Sequence, residues 1–159
     1  MSEPTRILFV CLGNICRSPL AEGVFKHLVD SEGLSDRFYI DSAGTGNWHV
    51  GRPAHPQSRR IAQLNGIQLT SIARQIQKEE LDQWHYIVVM DDKNYSDIMA
   101  MEPTSAQVVR LGDFDPEGPG IVPDPYGYDD RVYEQVYNQI YRSCRAFLDA
   151  LNNNEARMG

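Results

Sequence analysis

The sequence predicts an α/β fold: a three-layer, open, parallel four-stranded sheet with helices on both faces. Short, wholly apolar runs alternate with longer amphipathic segments along the 159 residues. That alternation implies right-handed crossovers, and crossovers imply a parallel sheet covered by helices. No repeat, low-complexity tract or linker divides the chain, whose length suits one domain over residues 1–159.

The elements follow in order. "RILFVCL" (6–12) is continuously apolar, as a strand buried on both faces must be. Gly13 and Asn14 break it. "SPLAEGVFKHLVDSEG" reads as a helix, with Ser18 as its cap and Pro19 in its first turn. Leu20, Val24, Phe25, Leu28 and Val29 form its apolar face, and Gly33 stops it. "FYIDSAG" (38–44) is the second strand, 46–56 a loop containing Trp48, and 57–65 a helix with Gly66 after its end. "KEELDQW" is a short helix, "YIVVMD" (86–91) the third strand, "DKNYSDIMAM" another short helix, and "AQVVRLGDF" (106–114) holds the fourth strand. A loop dense in Pro and Gly covers 115–128. The last helix, 130–151, spaces Val132, Val136, Ile140, Cys144 and Phe147 helically; "EQVYNQIY" within it reads as a half-buried face, and the tail beyond 151 is expected to fray.

Composition narrows the function. The chain is 42% hydrophobic and 23% charged, with a formal net charge of −7. An acidic surface repels nucleic acid and anionic membranes, so neither is an expected partner. No apolar run approaches the ~20 residues of a membrane span, and none resembles a cleaved leader. Cys11, Cys16 and Cys144 are odd in number and lack a secreted spacing, which suggests a reducing cytoplasm. A monomer, or a weakly self-associating chain, is expected.

In so acidic a protein an anion site must be local, built from backbone amides and a few arginines. "CLGNICRSP" (11–19) has that character. It leaves the carboxyl end of the first strand, where open sheets bind ligands, and enters a helix N-terminus. Gly13 allows a turn that a side chain would block, and Asn14 tolerates left-handed dihedrals. The amides of residues 12–17, including those of Leu12, Ile15 and Cys16, and the planar fork of Arg17 make a phosphate cradle. The sulfur of Cys11 lies beneath it, where the same surroundings favour thiolate over thiol and aim a nucleophile at phosphorus. Ser18 is near enough in sequence to hydrogen-bond that sulfur. Cleaving a phosphate ester also needs an acid for the leaving oxygen. Asp124, stiffened between Pro123 and Pro125, is the candidate, with a simple turn residue as the alternative.

"CLGNICRSP" and "DPYG" (124–127), with "DSAGT" (41–45), "ARQI" (73–76) and "MDDKN" (90–94), resemble the low-molecular-weight protein-tyrosine phosphatases over nearly the whole chain, from Arg6 to Leu151. The resemblance implies a phosphocysteine on Cys11, phosphoryl oxygens held by Arg17 and the loop amides, and Asp124 as acid and then base. It implies that Ser18 stabilises the departing sulfur and that Asn14 and Ser42 hold the loop in shape. It implies tyrosine-phosphorylated proteins as substrates and no metal or cofactor. It puts Trp48 and Tyr126 at the pocket mouth as walls for an aryl ring; Leu12 and Ile15 line the floor. Cys16 reads either as a small buried side chain or as the partner of Cys11 in a reversible disulfide, and the resemblance favours the second. Cys144 reads as core, Asp91 as an orienter of Arg17 or of a neighbouring loop, and the four histidines receive no role. Two departures stand out. Ser71 occupies a place where the family often has a histidine, and Gly127 replaces the second of two tyrosines found in animal members.

Two other functions fit parts of the pattern. Arsenate also suits a phosphate cradle, but its reduction needs further thiols, and no cysteine lies between Cys16 and Cys144. A non-catalytic phosphotyrosine-binding module has no need of Cys11, Arg17 and Asp124 together.

Overall fold

The computed structural model describes residues 3–158, with side chains described as far as Asn153. Strands β1 (Thr5–Cys11), β2 (Phe38–Gly44), β3 (Tyr86–Val89) and β4 (Gln107–Arg110) form one four-stranded sheet in the order β2-β1-β3-β4. Every pairing is parallel. Helices α1 (Arg17–Ser31), α2 (Pro56–Leu64), α3 (Asp92–Ala100) and α4 (Asp130–Met158) supply the crossovers and outer layers. Among the described residues no helix is long and apolar enough to cross a membrane.

The continuous apolar run of β1 has a direct cause: both of its faces are covered. Ile7 and Phe9 join a core with Leu20, Phe25, Ile140 and Phe147 from α1 and α4. Leu8 and Val10 point the other way, to Leu81, Trp84 and Ile98. Phe25 is the hub of the first core, its ring 5.6–5.7 Å from those of Phe9, Phe38 and Phe147. Truncating such a ring to alanine typically costs about 3–5 kcal/mol.

The strand order reverses at the centre of the sheet. The chain passes from β1 to β2 on one side and later to β3 and β4 on the other, opening a crevice at the carboxyl ends of β1 and β3. Cys11 ends β1 at this crevice. Asp91 lies just past β3, where it caps α3 by accepting from the Asn94 amide at 2.8 Å.

Three sequence expectations change, and the fourth strand is narrowed within its expected range. The N-cap of α1 is Cys16, which makes no side-chain cap bond, because the Ser18 hydroxyl is committed elsewhere. Lys78–Gln83 is a 3-10 helix. The fourth strand stops at Arg110, and Leu111–Phe114 turns as 3-10 helix. Helix α4 runs to Met158 where fraying was expected, and Gly159 lies outside the described residues.

Candidate active site

Between β1 and α1 the chain curls so that its carbonyls face outward. The Cys11 and Leu12 carbonyls accept from the Thr45 and Gly46 amides at 2.9 Å, and the Ile15 carbonyl accepts from the His55 amide at 2.8 Å. Among the described residues the N–H groups from Gly13 to Arg17 donate to no protein acceptor. They form a concave nest of donors at the start of a helix, suited to a tetrahedral anion. Asn14 makes the curl possible with φ of 57°, as its sequence suggested. Gly13 is not in the left-handed region, but a side chain there would be obstructed as expected: a Cβ would lie 2.9 Å from His49 Cδ2.

A directed hydrogen-bond chain runs beneath this nest. The Arg74 amide donates to Asn14 Oδ1 at 3.1 Å, which fixes the orientation of the Asn14 amide group. Asn14 Nδ2 therefore donates, to Ser18 Oγ at 2.8 Å and to Ser42 Oγ at 3.0 Å. Each serine accepts from Asn14 and has one proton left to give. Ser42 gives its proton to Glu22 Oε1 at 2.5 Å, and Lys26 Nζ donates to the other Glu22 oxygen at 2.6 Å. The proton of Ser18 is left for Cys11 Sγ, 3.0 Å away.

Arg17 is 2% exposed and held from behind. Its Nη1 donates to Asp91 Oδ2 at 2.7 Å and to the Val122 carbonyl at 2.9 Å. Burial works against the guanidinium's charge, but Cys11, Asp91 and Asp124 together hold its pKa above the ordinary value. With Nη1 occupied, Nε and Nη2 remain for an anion in the cradle, and Nη2 lies 3.9 Å from Asp124 Oδ2. Asp91 thus uses one oxygen to cap α3 and the other to fix Arg17, linking the ends of β1 and β3.

Asp124 is a turn residue that also reaches the pocket. Oδ1 accepts from the Tyr126 amide at 3.1 Å, an Asx-type turn, while Oδ2 faces the pocket. The pocket, about 400 Å³, is lined by Cys11, Leu12, Gly13, Ile15, Cys16, Arg17, Trp48, His49, Asp124 and Tyr126. Trp48 and Tyr126 are 67% and 54% exposed and form its mouth. Gly46 permits this, since a Cβ at 46 would lie 1.7 Å from the Trp48 ring.

Cys16 is buried against Ile15, Ala73 and Tyr133. Its sulfur lies 3.4 Å from Tyr133 Oη, and burial first of all pushes its pKa up to about 11. Cys11, Cys16 and Cys144 are all unpaired. Cys144 lies wholly in the core, its thiol donating to the Ala21 carbonyl at 3.8 Å. Among the described residues Ser71 makes no side-chain hydrogen bond; the loop connects to Glu22 through Ser42. Among the described residues no group of three or more His, Cys, Asp or Glu side chains is arranged to hold a metal ion.

Sequence reasoning missed Glu22, His49 and His55. Glu22 is nearly buried behind the loop, and its signal was a carboxylate next to an apolar helix face with Lys26 one turn on. His49 lines the pocket, and the His55 ring is 5.6 Å from those of both Tyr126 and Tyr133. No spacing rule marks either histidine.

Comparisons with known proteins show the family and the fold. The family model "Low molecular weight phosphotyrosine protein phosphatase" matches residues 6–157. A Mus musculus protein of that name is 43% identical over 147 residues, covering 90% of this chain and 93% of its own. The crystal structure of a protein tyrosine phosphatase from Entamoeba histolytica, with Hepes in its active site, superposes with a TM-score of 0.90 at 31% identity, covering 95% of this chain and 99% of its own. A Drosophila structure described as an arginine phosphatase superposes with a TM-score of 0.86, also at 31% identity, covering 91% of this chain and 96% of its own. The chain belongs to the low molecular weight phosphotyrosine protein phosphatase family.

Proposed function

We propose that this chain, as one domain over residues 1–159, hydrolyses phosphotyrosine in proteins and small aryl phosphates through a phosphocysteine. The observation that carries the proposal is the directed network under the loop, in which, among the described residues, Asn14 leaves Cys11 Sγ as the acceptor in reach of the Ser18 hydroxyl proton.

The phosphoryl group of the substrate enters the nest, its oxygens taken by the amides from Gly13 to Arg17 and by the free edge of the Arg17 guanidinium. Cys11 Sγ attacks phosphorus as the ester bond breaks on the far side, and Asp124 gives its proton to the departing phenolate. Asp124, now a carboxylate, takes a proton from water as that water attacks phosphorus. The S–P bond breaks, inorganic phosphate leaves, and the Ser18 hydroxyl supports the thiolate that is restored. Asn14, Ser42 and Asp91 position these groups. The chemistry uses no metal or cofactor, and a reducing cytoplasm would keep Cys11 in working form.

The fold alone does not choose the amino acid, since a structural neighbour is described as an arginine phosphatase. The walls choose. Leu12, Ile15, Trp48 and Tyr126 offer apolar surface to an aryl ring, and Asp124 is the one carboxylate in the lining to pair a guanidinium. A panel of otherwise identical peptides bearing phosphotyrosine, phosphoserine or phosphoarginine tests this, with thiol-dependent arsenate reduction assayed alongside. We expect phosphotyrosine to exceed the others by at least about 100-fold in kcat/KM, on the order of 2.7 kcal/mol. Faster turnover of phosphoarginine, or thiol-coupled arsenate reduction with no phosphatase activity, would overturn the reading. Binding of phosphotyrosine without turnover would make the chain a recognition module.

A further inference from the structure

Charge is distributed unevenly along this chain. Residues 42–78 carry Arg52, Arg59, Arg60, Arg74 and Lys78 without a single acidic side chain, in a protein of formal net charge −7. Two of these cations are neutralised from elsewhere: Arg60 pairs with Asp130 at 2.9 Å, and Arg74 with Asp41 and Glu80 at 3.1 and 2.9 Å. Arg59 turns its Nε back to the Ala54 carbonyl and lines a separate depression with Gln63 and Gly66.

Arg52 differs. It is exposed, and among the described residues no carboxylate lies within 4.0 Å of it. The one side-chain partner of its guanidinium is His49, whose Nδ1 is 3.4 Å from Nη1. Arginine can only donate, so Nδ1 accepts and the ring proton resides on Nε2. His49 lines the phosphate pocket between Trp48 and Gly13, with its ring 6.2 Å from that of Tyr126. The backbone under the pair is tied down. The Arg52 amide donates to the His49 carbonyl at 3.0 Å, and Gly51 and Arg52 exchange bonds with Ala73 at 2.9 and 2.8 Å. A cation with no carboxylate partner among the described residues is therefore held just outside the pocket lining, against His49.

We propose that Arg52, with His49 beneath it, forms a subsite that reads a carboxylate: an Asp or Glu side chain next to the phosphotyrosine of the substrate. The proposal rests on the phosphotyrosine reading above. An acidic phosphopeptide is repelled by the protein as a whole, and a local free guanidinium at the mouth offsets that repulsion where the peptide must dock. The fork of Arg52 matches a carboxylate in two bonds. Because the pair is exposed, its effect is modest: about 2- to 5-fold in kcat/KM at low salt.

The test uses two phosphotyrosyl peptides that differ only in flanking residues, Asp and Glu in one and Asn and Gln in the other, together with p-nitrophenyl phosphate. The wild-type enzyme should prefer the acidic peptide by about 2- to 5-fold at low ionic strength, and the preference should fade at roughly 0.5 M salt. Arg52→Gln should equalise the two peptides while turnover of p-nitrophenyl phosphate, which has no flanking carboxylate, stays within about 2-fold. Arg59→Gln, in the same acid-free stretch but on another depression, should keep the preference. Equal rates for both peptides in the wild type, a preference surviving Arg52→Gln, or its loss in Arg59→Gln would each overturn the subsite. Failure to hydrolyse the peptides and p-nitrophenyl phosphate alike would instead overturn the phosphatase reading.

Discussion

Arg17 is buried, and among the described residues Asp91 is its nearest carboxylate, at 2.7 Å against 3.9 Å for Asp124. Replacing Asp91 therefore tests how much of the phosphate grip depends on holding the guanidinium from behind. Asp91→Asn keeps an N-cap side chain for α3 and an acceptor for Nη1 but removes the charge. A hydrogen bond between charged groups exceeds one to a neutral acceptor by roughly 1–1.5 kcal/mol, which is about 10-fold in rate if the loss is felt in the transition state. Asp91→Ala removes the cap as well, about 1 kcal/mol, and leaves a buried donor short of a partner, about 1–3 kcal/mol more. For a chain of this size those losses, about 2–4 kcal/mol together, lower Tm by on the order of 6–12 °C. The assay is kcat/KM on p-nitrophenyl phosphate with the inhibition constant for inorganic phosphate, backed by thermal melts. Asn should cost about 10-fold in kcat/KM and weaken phosphate binding in parallel; Ala should cost about 100-fold or more. If Asp91→Ala remains within 2-fold of wild type in both kinetic measures while it is folded, Arg17 does not need its rear anchor and the reasoning fails.

Three further outcomes follow from the same geometry. Asp124→Asn should slow substrates with poor leaving groups, such as phenyl phosphate, at least about 10-fold more than p-nitrophenyl phosphate, because only the former need a proton; equal losses would remove Asp124 as the acid. Iodoacetate should alkylate Cys11 but not Cys16 between pH 6 and 8, since a thiol with a pKa of about 11 is ionised to only roughly one part in a thousand at pH 8. Fragment-ion mass spectrometry places the label, and matched rates on both sulfurs at pH 7 would contradict the burial argument. Asp115 anchors the start of the loop that carries Asp124, receiving Arg142 Nε and Nη2 at 3.0 Å each, and those bonds hold its carboxyl below the usual value of 3.8. A depressed carboxylate stabilises the fold above its unfolded value and loses that contribution as pH falls through the folded one. Asp115→Asn should therefore cost about 1–2 kcal/mol in urea titrations at pH 7 and progressively less below pH 4; a cost that does not shrink in acid would break the linkage.

What the sequence made legible was local. The apolar run 6–12 marked a strand covered on both faces, Asn14 marked a left-handed turn, and Cys11 to Arg17 marked a donor nest, because backbone geometry and residue type constrain one another over a few positions. The Pro-flanked Asp124 was legible as either turn or site residue, and the geometry leaves room for both: one carboxylate oxygen makes the turn while the other lies 3.9 Å from Arg17. Contacts made across the fold were not legible. Glu22 looks like any helical glutamate until β2 brings Ser42 against it. His49 and His55 are set around Tyr126 by a loop whose path depends on bonds to Ala73 and Ile15, and no periodicity encodes that. Ser18 was misread as a cap because its propensity is real; the stronger claim on its hydroxyl came from Cys11 and Asn14.

The account turns on covalent chemistry at one sulfur. Rapid acid quench of the enzyme during turnover of p-nitrophenyl phosphate, followed by fragment-ion mass spectrometry and phosphorus-31 NMR, measures it directly. The account predicts a phosphoryl group bound through sulfur to Cys11, absent from a folded Cys11→Ser variant that no longer turns over. Undiminished turnover by Cys11→Ser, or a phosphoryl group captured on any other side chain, would contradict it.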